Sequence, residues 1–466
     1  MVAKVTGFLL PEKPLTSIEE YRDMGGGMGL AAAQRLGPSD TIDEVRASGL
    51  RGRGGGGFPT GAKWGGVATA KGTHRYMVAN AAEGEPGTFK DRKLMRSNPY
   101  QLIEGLAIAA FAIGAVEAFI GLKASFTSEI EALTRALVEM TDAGLAGDVP
   151  IRIVPGPEEY LLGEEKALLE VIEGKDPLPR LLPPYLHGLF SVVPQMGWTP
   201  TALERGHADL HESNPTAVNN AETLSNVPWI LARGPAWFRT MGTPSSPGTV
   251  VATVCGEVAR PVVAEVEMGT RLSDLLSGPA GGPLPDRTWK AVFSGVANPV
   301  IDVSRFGLPM TYEDFAACGT GLGAAGFIVY DDTACMVEVA RVFSWFLAVE
   351  SCGQCPPCKL GSSEITERLE RIQAGSGLDD DIEFIGSWLG KVTDGARCYL
   401  ATEERDVVSS IMRCYPEEFA EHLDAGVCPR PREIVVPKIV ELSEDGQVVY
   451  DESQARKQLD WTFVPI

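Results

Sequence analysis

Apolar residues change their spacing from stretch to stretch along the chain, and each spacing predicts an element. Residues 17–47 follow a helical pattern with a Gly-rich interruption, "MGGGMG". "HRYMVANAAEGEPGTFKDR" predicts a short strand running into an acidic, turn-rich loop. The run 102–121 is apolar and long enough for a buried helix, and 128–142 has the pattern of an amphipathic one. "IRIVPG" predicts a strand, and "EEYLLGEEKALLEVIEG" a helix closed by Gly174. Such alternation indicates an α/β unit. A Pro-rich loop at 176–184 and a linker, "MGTPSSPG", precede short β-rich segments, "GTVVATVCGEV" and "RPVVAEVEMG". From 332 to about 425 the pattern is helical, and the tail, "REIVVPKIVEL", is extended and apolar enough to lie against something. The predicted divisions are 1–48, 49–240, 241–331, 332–428 and 429–466.

The chain has 466 residues, more than one hydrophobic core usually serves. Its 62 acidic against 41 basic residues argue against wrapping nucleic acid and suit a cytosolic enzyme or subunit. The longest apolar run, 106–116, is too short to span a bilayer, and "MVAKVTGFLLPEKP" lacks the pattern of a secretion signal. The nine cysteines include a dense trio, which in such a chain favours metal binding over disulfides.

That trio is "ESCGQCPPCKLG", with Cys352, Cys355 and Cys358 at C-x2-C-x2-C. Three thiolates so close together suit one face of an iron–sulfur cluster, with a fourth from elsewhere. A zinc site would more usually employ two separated C-x2-C knuckles. Cys398, Cys414 and Cys428 are the candidates for the fourth ligand, while Cys255 and Cys335 are expected in the core. Two stretches satisfy G-x-G-x-x-G: Gly52, Gly54 and Gly57, and again Gly321, Gly323 and Gly326. In the second a strand follows the glycines, "GFIVYDD", the wrong order for a dinucleotide fingerprint, so a tight turn is expected. The first has bare backbone flanked by Arg51, Arg53 and Lys63, which suits a phosphate-bearing ligand, although "FPTG" leaves no clean helix start. His207 and His211, in "HADLH", are read as part of a polar loop.

"SGLRGRGGGGFPTGAKW", "VANAAEGEPGTFKDR", "EYLLGEEKALLEVIEG", "NPTAVNNAETLSNV" and "ESCGQCPPCKLG" occur in this order. Together they resemble the NADH- and FMN-binding subunit of respiratory complex I and the diaphorase subunits of NAD-linked hydrogenases and formate dehydrogenases. The resemblance covers nearly the whole chain. It implies an N-terminal helical segment, an FMN- and NADH-binding α/β domain, a small β-grasp-like domain, and a C-terminal helical bundle carrying a 4Fe–4S cluster. It further implies that Gly52, Arg53, Gly54 and Gly55 lie under the flavin and nucleotide, and that Phe58 and Lys63 reach the nicotinamide nucleotide. Asn80 would belong to the flavin pocket, Glu85 to its nicotinamide end, and Tyr160, Gly163, Glu164 and Glu165 to a helix start facing ribose or flavin. Asn219, Asn220 and Thr223 would bind the FMN phosphate and ribityl chain. Cys398, in "GARCYLA", would complete the cluster, with Cys414 in reserve. NADH would pass a hydride to the flavin, with Glu85 and Lys63 nearest the chemistry, and electrons would leave through the cluster. A thioredoxin-like 2Fe–2S subunit or another redox protein is the implied partner. Location would be cytoplasmic, reaching the inner face of the membrane through such partners.

Several positions depart from the family pattern. Ala82 stands where a carboxylate is usual, Gly66 where an aromatic is common, Leu182 for a Lys, Tyr185 for a Phe, and Arg397 for a small polar residue. Tyr185 can still stack. Two readings follow: an NADH-oxidising subunit, or an electron relay that keeps flavin and cluster but has a degenerate NADH site.

Overall fold

The computed structural model describes residues 7–72, 74–192 and 213–464; His207 and His211 lie outside them. A parallel sheet is built from β1 (Tyr76–Asn80), β2 (Glu117–Lys123), β3 (Ile151–Gly156) and β4 (Thr216–Asn220), in the order β3-β2-β1-β4. Both its faces are covered. Met77, Ala79, Ala118 and Ile120 join one core with Leu106 and Leu224, while Val78, Phe119 and Val218 join another with Leu168 and Leu169. Side chains alternate across a strand, so covering both faces requires the nearly continuous apolar runs seen here.

This double burial misleads the reading of the 102–121 run. It is helix only within Pro99–Ile113; Gly114, at φ 69°, turns the chain, and β2 follows. Fully buried helix and fully buried strand present the same apolar run. Two other helix starts differ from expectation. The stretch after "FPTG" does open a helix, Thr60–Thr69, with Pro59 as its N-cap. The helix expected across 158–174 begins only at Glu165, after a 3-10 turn over Tyr160–Gly163. Glu164 caps it, accepting from the N–H groups of Lys166 and Ala167 at 2.8 and 3.0 Å.

A second, mixed sheet has the order β6-β5-β9-β7-β8, with β5 (Thr249–Gly256), β6 (Val262–Glu267), β7 (Trp289–Ser294), β8 (Ile301–Asp302) and β9 (Gly326–Asp331). Its central pair, β5 and β9, is parallel and the others are antiparallel, as in a β-grasp arrangement. One face packs on Leu272, Leu275 and Phe315. The other receives the helical region: Phe293 meets Phe343 edge-on, with ring centroids 5.1 Å apart. That region comprises Met336–Glu350, Pro356–Gln373, Asp381–Leu389, Leu400–Cys414 and Pro416–Ala425, in line with the helical pattern of its sequence. The tail then returns across the molecule. Ile434, Val436, Ile439 and Leu442 are buried, and a hairpin pairs β10 (Ile439–Leu442) with β11 (Val448–Tyr450). Among the described residues no helix is long and apolar enough to cross a membrane.

Candidate functional site

In the parallel sheet the chain leaves β1 toward β2 on one side, and β4 adds on the other. Between β1 and β4 the strand order therefore reverses, and ligands of open α/β sheets lie beyond the carboxyl ends of strands at such a point. Asn80 and Asn220, the last residues of these strands, stand opposite each other in register. Both open onto a cavity of about 650 Å³, of cofactor size.

Gly54, Gly55 and Gly56 form one wall. Gly55 sits at φ 121°, where a side chain is strained, and a Cβ on Gly54 would lie 2.9 Å from Asn220 Cβ. Gly323, from the second glycine motif, bridges to Gly55 through the backbone. A Cβ there would meet Asn298 Nδ2 at 2.6 Å and Ser294 Oγ at 2.7 Å. The second motif does lead into a strand, as its order implied, yet its loop is more than a turn: Gly321, Gly323 and Ala324 line the same cavity. Bare backbone from two loops thus makes a flat-sided slot that Cβ atoms would obstruct, which fits a planar cofactor.

The predicted residues divide between wall and support. Gly54, Gly55, Asn80, Glu85, Tyr160, Gly163, Glu164 and Asn220 line the cavity. Asn80 Nδ2 donates to the Gly163 carbonyl at 2.7 Å, fixing the turn opposite. Gly52, Arg53, Asn219 and Thr223 stand behind the wall. Arg53 is buried, its guanidinium donating to the carbonyls of Thr249, Pro247 and Arg51 at 3.0 to 3.1 Å. Its N–H donates to Thr223 Oγ1 at 2.8 Å, so this pair anchors the glycine loop. Asn219 Oδ1 accepts from Trp64 Nε1 at 2.8 Å. Lys63 pairs with Glu165 at 3.2 Å and donates to the Val218 carbonyl at 2.9 Å, one layer behind the wall. Phe58 and Tyr185 are exposed, and neither they nor Gly66 and Leu182 belong to the cavity lining.

Sequence reasoning placed Glu85 here but missed the rest of an acidic wall. Glu403, from the helix Leu400–Cys414, reaches the cavity beside Glu85, and Tyr160 Oη lies between them. Burial raises both carboxyls above their ordinary range, Glu85 to about 7, and burial also raises the Tyr160 phenol. In the same loop as Glu85, Glu83 accepts from the N–H groups of Lys90, Asp91 and Arg92 at 2.9 to 3.2 Å, and burial pushes it up to about 7. Lys90 is buried and pairs with Asp91 and Glu222, each at 2.8 Å; breaking such a pair typically costs about 3–5 kcal/mol. Asp91 Oδ2 in turn accepts from Asn220 Nδ2 at 2.6 Å. "TFKDR" lies within a motif the sequence offers, but only the fold shows Lys90 organising the carboxylates around Asn220.

Cys352, Cys355, Cys358 and Cys398 line one small pocket with Leu161, Ser351 and Leu400. Cys398, Leu161 and Leu400 are also part of the large cavity's wall, so the two spaces adjoin there. Cys414 and Cys428 are not part of that pocket's lining. Sulfurs on one tetrahedral ion, at bonds of ~2.3 Å, stand roughly 3.8 Å apart. Among the described residues no three of these four sulfurs come within 4.8 Å of one another. An all-thiol donor set too wide for a single ion fits a cuboidal cluster.

Residues 45–229 match the Nuo51 FMN-binding domain, and residues 338–422 match the NADH-ubiquinone oxidoreductase-F iron-sulfur binding region. An NADH-quinone oxidoreductase-F protein of Rhizobium meliloti is 38% identical, over 87% of this chain and 94% of the relative. The NADP-reducing hydrogenase subunit HndC of Solidesulfovibrio fructosivorans is 35% identical, over 91% and 83%. Among solved structures, a NAD+-reducing [NiFe]-hydrogenase in the H2-reduced state superposes with a TM-score of 0.74 at 31% identity, covering 89% of this chain and 68% of that one.

Proposed function

The chain belongs to the NADH-quinone oxidoreductase-F family, and from that premise we propose how its own residues carry the family's reaction. It is an NADH-oxidising electron-transfer subunit with FMN and a 4Fe–4S cluster, of the NADH dehydrogenase type. The reading in which its NADH site is degenerate is not supported. FMN, when bound, supplies acceptance of a hydride and release of electrons one at a time.

Gly54 and Gly55 would give the planar ring backbone contact, and Asn80 and Asn220 would offer amide groups at the strand ends. Lys90, neutralised by Asp91 and Glu222, holds Asn220 in place rather than serving as a free cation. Glu85, held by the hydroxyl of Tyr160 and the N–H of Val296, each at 2.6 Å, would receive the nicotinamide end. Cys352, Cys355, Cys358 and Cys398 would hold the cluster. Lys63 and Glu165 brace the wall, and Phe58 and Tyr185 stand outside it, free to meet the remoter parts of a dinucleotide.

The position of Cys398 carries this reading: with Leu161 and Leu400 it belongs to both the cofactor cavity and the thiol pocket, so a cluster ligand would border the flavin site directly. The family places the chain in a multisubunit assembly. Within it, we assign the partner as a thioredoxin-like 2Fe–2S protein or another redox subunit, and the location as the cytoplasm, with contact to the membrane's inner face through partners. The deciding experiment is anaerobic addition of NADH to the FMN- and cluster-loaded protein. Bleaching of flavin absorbance is expected, and no bleaching at millimolar NADH would overturn the reading.

A further inference from the structure

Outside the cofactor region, Cys335, His422 and Cys428 bring their ligand atoms within 4.8 Å of one another, and all three are buried. The sequence offers no local motif for this. Cys335 precedes the helix Met336–Glu350, His422 lies near the end of Pro416–Ala425, and Cys428 follows in the chain leading to the tail. The fold alone assembles them.

Their chemistry is that of a metal site. His422 Nδ1 lies 2.7 Å from the Glu418 carbonyl oxygen. A carbonyl only accepts, so Nδ1 carries the proton and Nε2 presents its lone pair, the usual support for a metal-ligating histidine. That lone pair points at Cys335 Sγ, 3.4 Å away. Cys335 is the N-cap residue of its helix, so its sulfur is held in place by the helix start, and it keeps its proton until a metal displaces it. Two thiolates and a neutral imidazole cancel the charge of a divalent ion, which suits a buried site, and this soft donor set selects zinc.

We propose that Cys335, His422 and Cys428 bind one zinc ion, separately from the iron–sulfur cluster. Two Cys–S–H bonds break, two zinc–thiolate bonds form, and both protons pass to solvent; no electron moves. His422 Nε2 gives the third bond, and a water takes the fourth tetrahedral position. The ion fastens the start of the C-terminal tail to two helices, just before Arg432 pairs with Asp331 at 3.1 Å.

The test is metal analysis and zinc-edge X-ray absorption on the full chain, purified with its cluster under reducing conditions and supplied with zinc chloride. About one zinc beyond the cluster iron is expected, with two sulfurs at ~2.3 Å and one nitrogen at ~2.0 Å. His422→Gln and Cys428→Ser should each lose the zinc and keep the iron. Absence of zinc from the natural protein overturns the proposal, as does a Cys335–Cys428 disulfide found by thiol counting. Zinc in an all-sulfur shell, which would place it at the Cys352 cluster, overturns it too, as does zinc retained in both variants. Should a variant not fold, the absorption spectrum of the natural protein decides.

Discussion

Glu85 and Glu403 share one hydroxyl: Tyr160 Oη lies 2.6 Å from Glu85 Oε2 and 3.2 Å from Glu403 Oε2. A hydroxyl has one proton to give. The shorter contact takes it, and the longer one is satisfied when a protonated Glu403 donates to the phenol oxygen. Glu85 also accepts from the Val296 N–H at 2.6 Å, so it ionises first, and the two titrate as a pair.

The expected pH profile of flavin bleaching by NADH follows from that order. The natural protein and Glu403→Gln should both show an inflection near pH 7, where Glu85 ionises. Glu85→Gln should shrink it to what Glu83 and Glu164, also raised to about 7 by burial, contribute. If the inflection shrinks in Glu403→Gln and keeps its full size in Glu85→Gln, the order of ionisation is the reverse.

Cluster ligation separates the cysteines sharply. Cys398→Ser should lower bound iron well below four atoms per chain, because its sulfur is part of the thiol pocket. Cys414→Ser should leave iron unchanged, since Cys414 ends its helix outside that pocket. Iron assay on both variants checks this, and a cluster lost only with Cys414 would reverse the assignment.

The glycine wall should tolerate little. Gly55→Val forces a branched residue to φ 121°, a strain of about 1–3 kcal/mol, or roughly tenfold to a hundredfold in flavin affinity if it falls on the loaded state. Acid precipitation should release noncovalent FMN from the natural protein, and much less from the variant. Recovery of FAD would contradict the assigned cofactor.

Glu404 offers a test of stability against pH. It is buried, accepts from Ser344 Oγ at 2.6 Å, and burial pushes it up to about 8. In the folded protein it keeps a proton that the unfolded chain releases near 4.5, so stability falls as pH rises through that window. The contribution is complete below about 4.5 and gone above about 8. Glu404→Gln should therefore flatten the decline of melting temperature between pH 5 and 8.5, raising it relative to the natural protein at the alkaline end. Parallel declines would refute this.

What the sequence made legible was local. The helices between 336 and 425 follow from periodicity, and the Cys trio carries its chemistry within seven residues. The 102–121 run was ambiguous because burial on both faces erases the period that distinguishes strand from helix. Glu403 and the Gly321–Gly323 loop could not be assigned to the cavity from local pattern, since the first arrives on a helix and the second on a loop of another sheet. Arg53 illustrates the converse: a basic residue among glycines suggests phosphate contact, whereas three backbone carbonyls and the Tyr312 hydroxyl occupy its donors.

The returning tail has a consequence for how the cavity's loop is held. Arg92 Nη1 donates to the Val440 carbonyl at 2.6 Å, and Gly87 N–H donates to the Pro437 carbonyl at 2.8 Å. Residues 437–440 thus buttress a loop some 350 residues earlier in the chain, the loop that carries Glu83 and Glu85. The loop that brings Glu83 and Glu85 to the cavity is therefore held from outside by a segment remote in sequence, and removing the residues from 437 onward should loosen that loop while the paired strands of the parallel sheet stay intact.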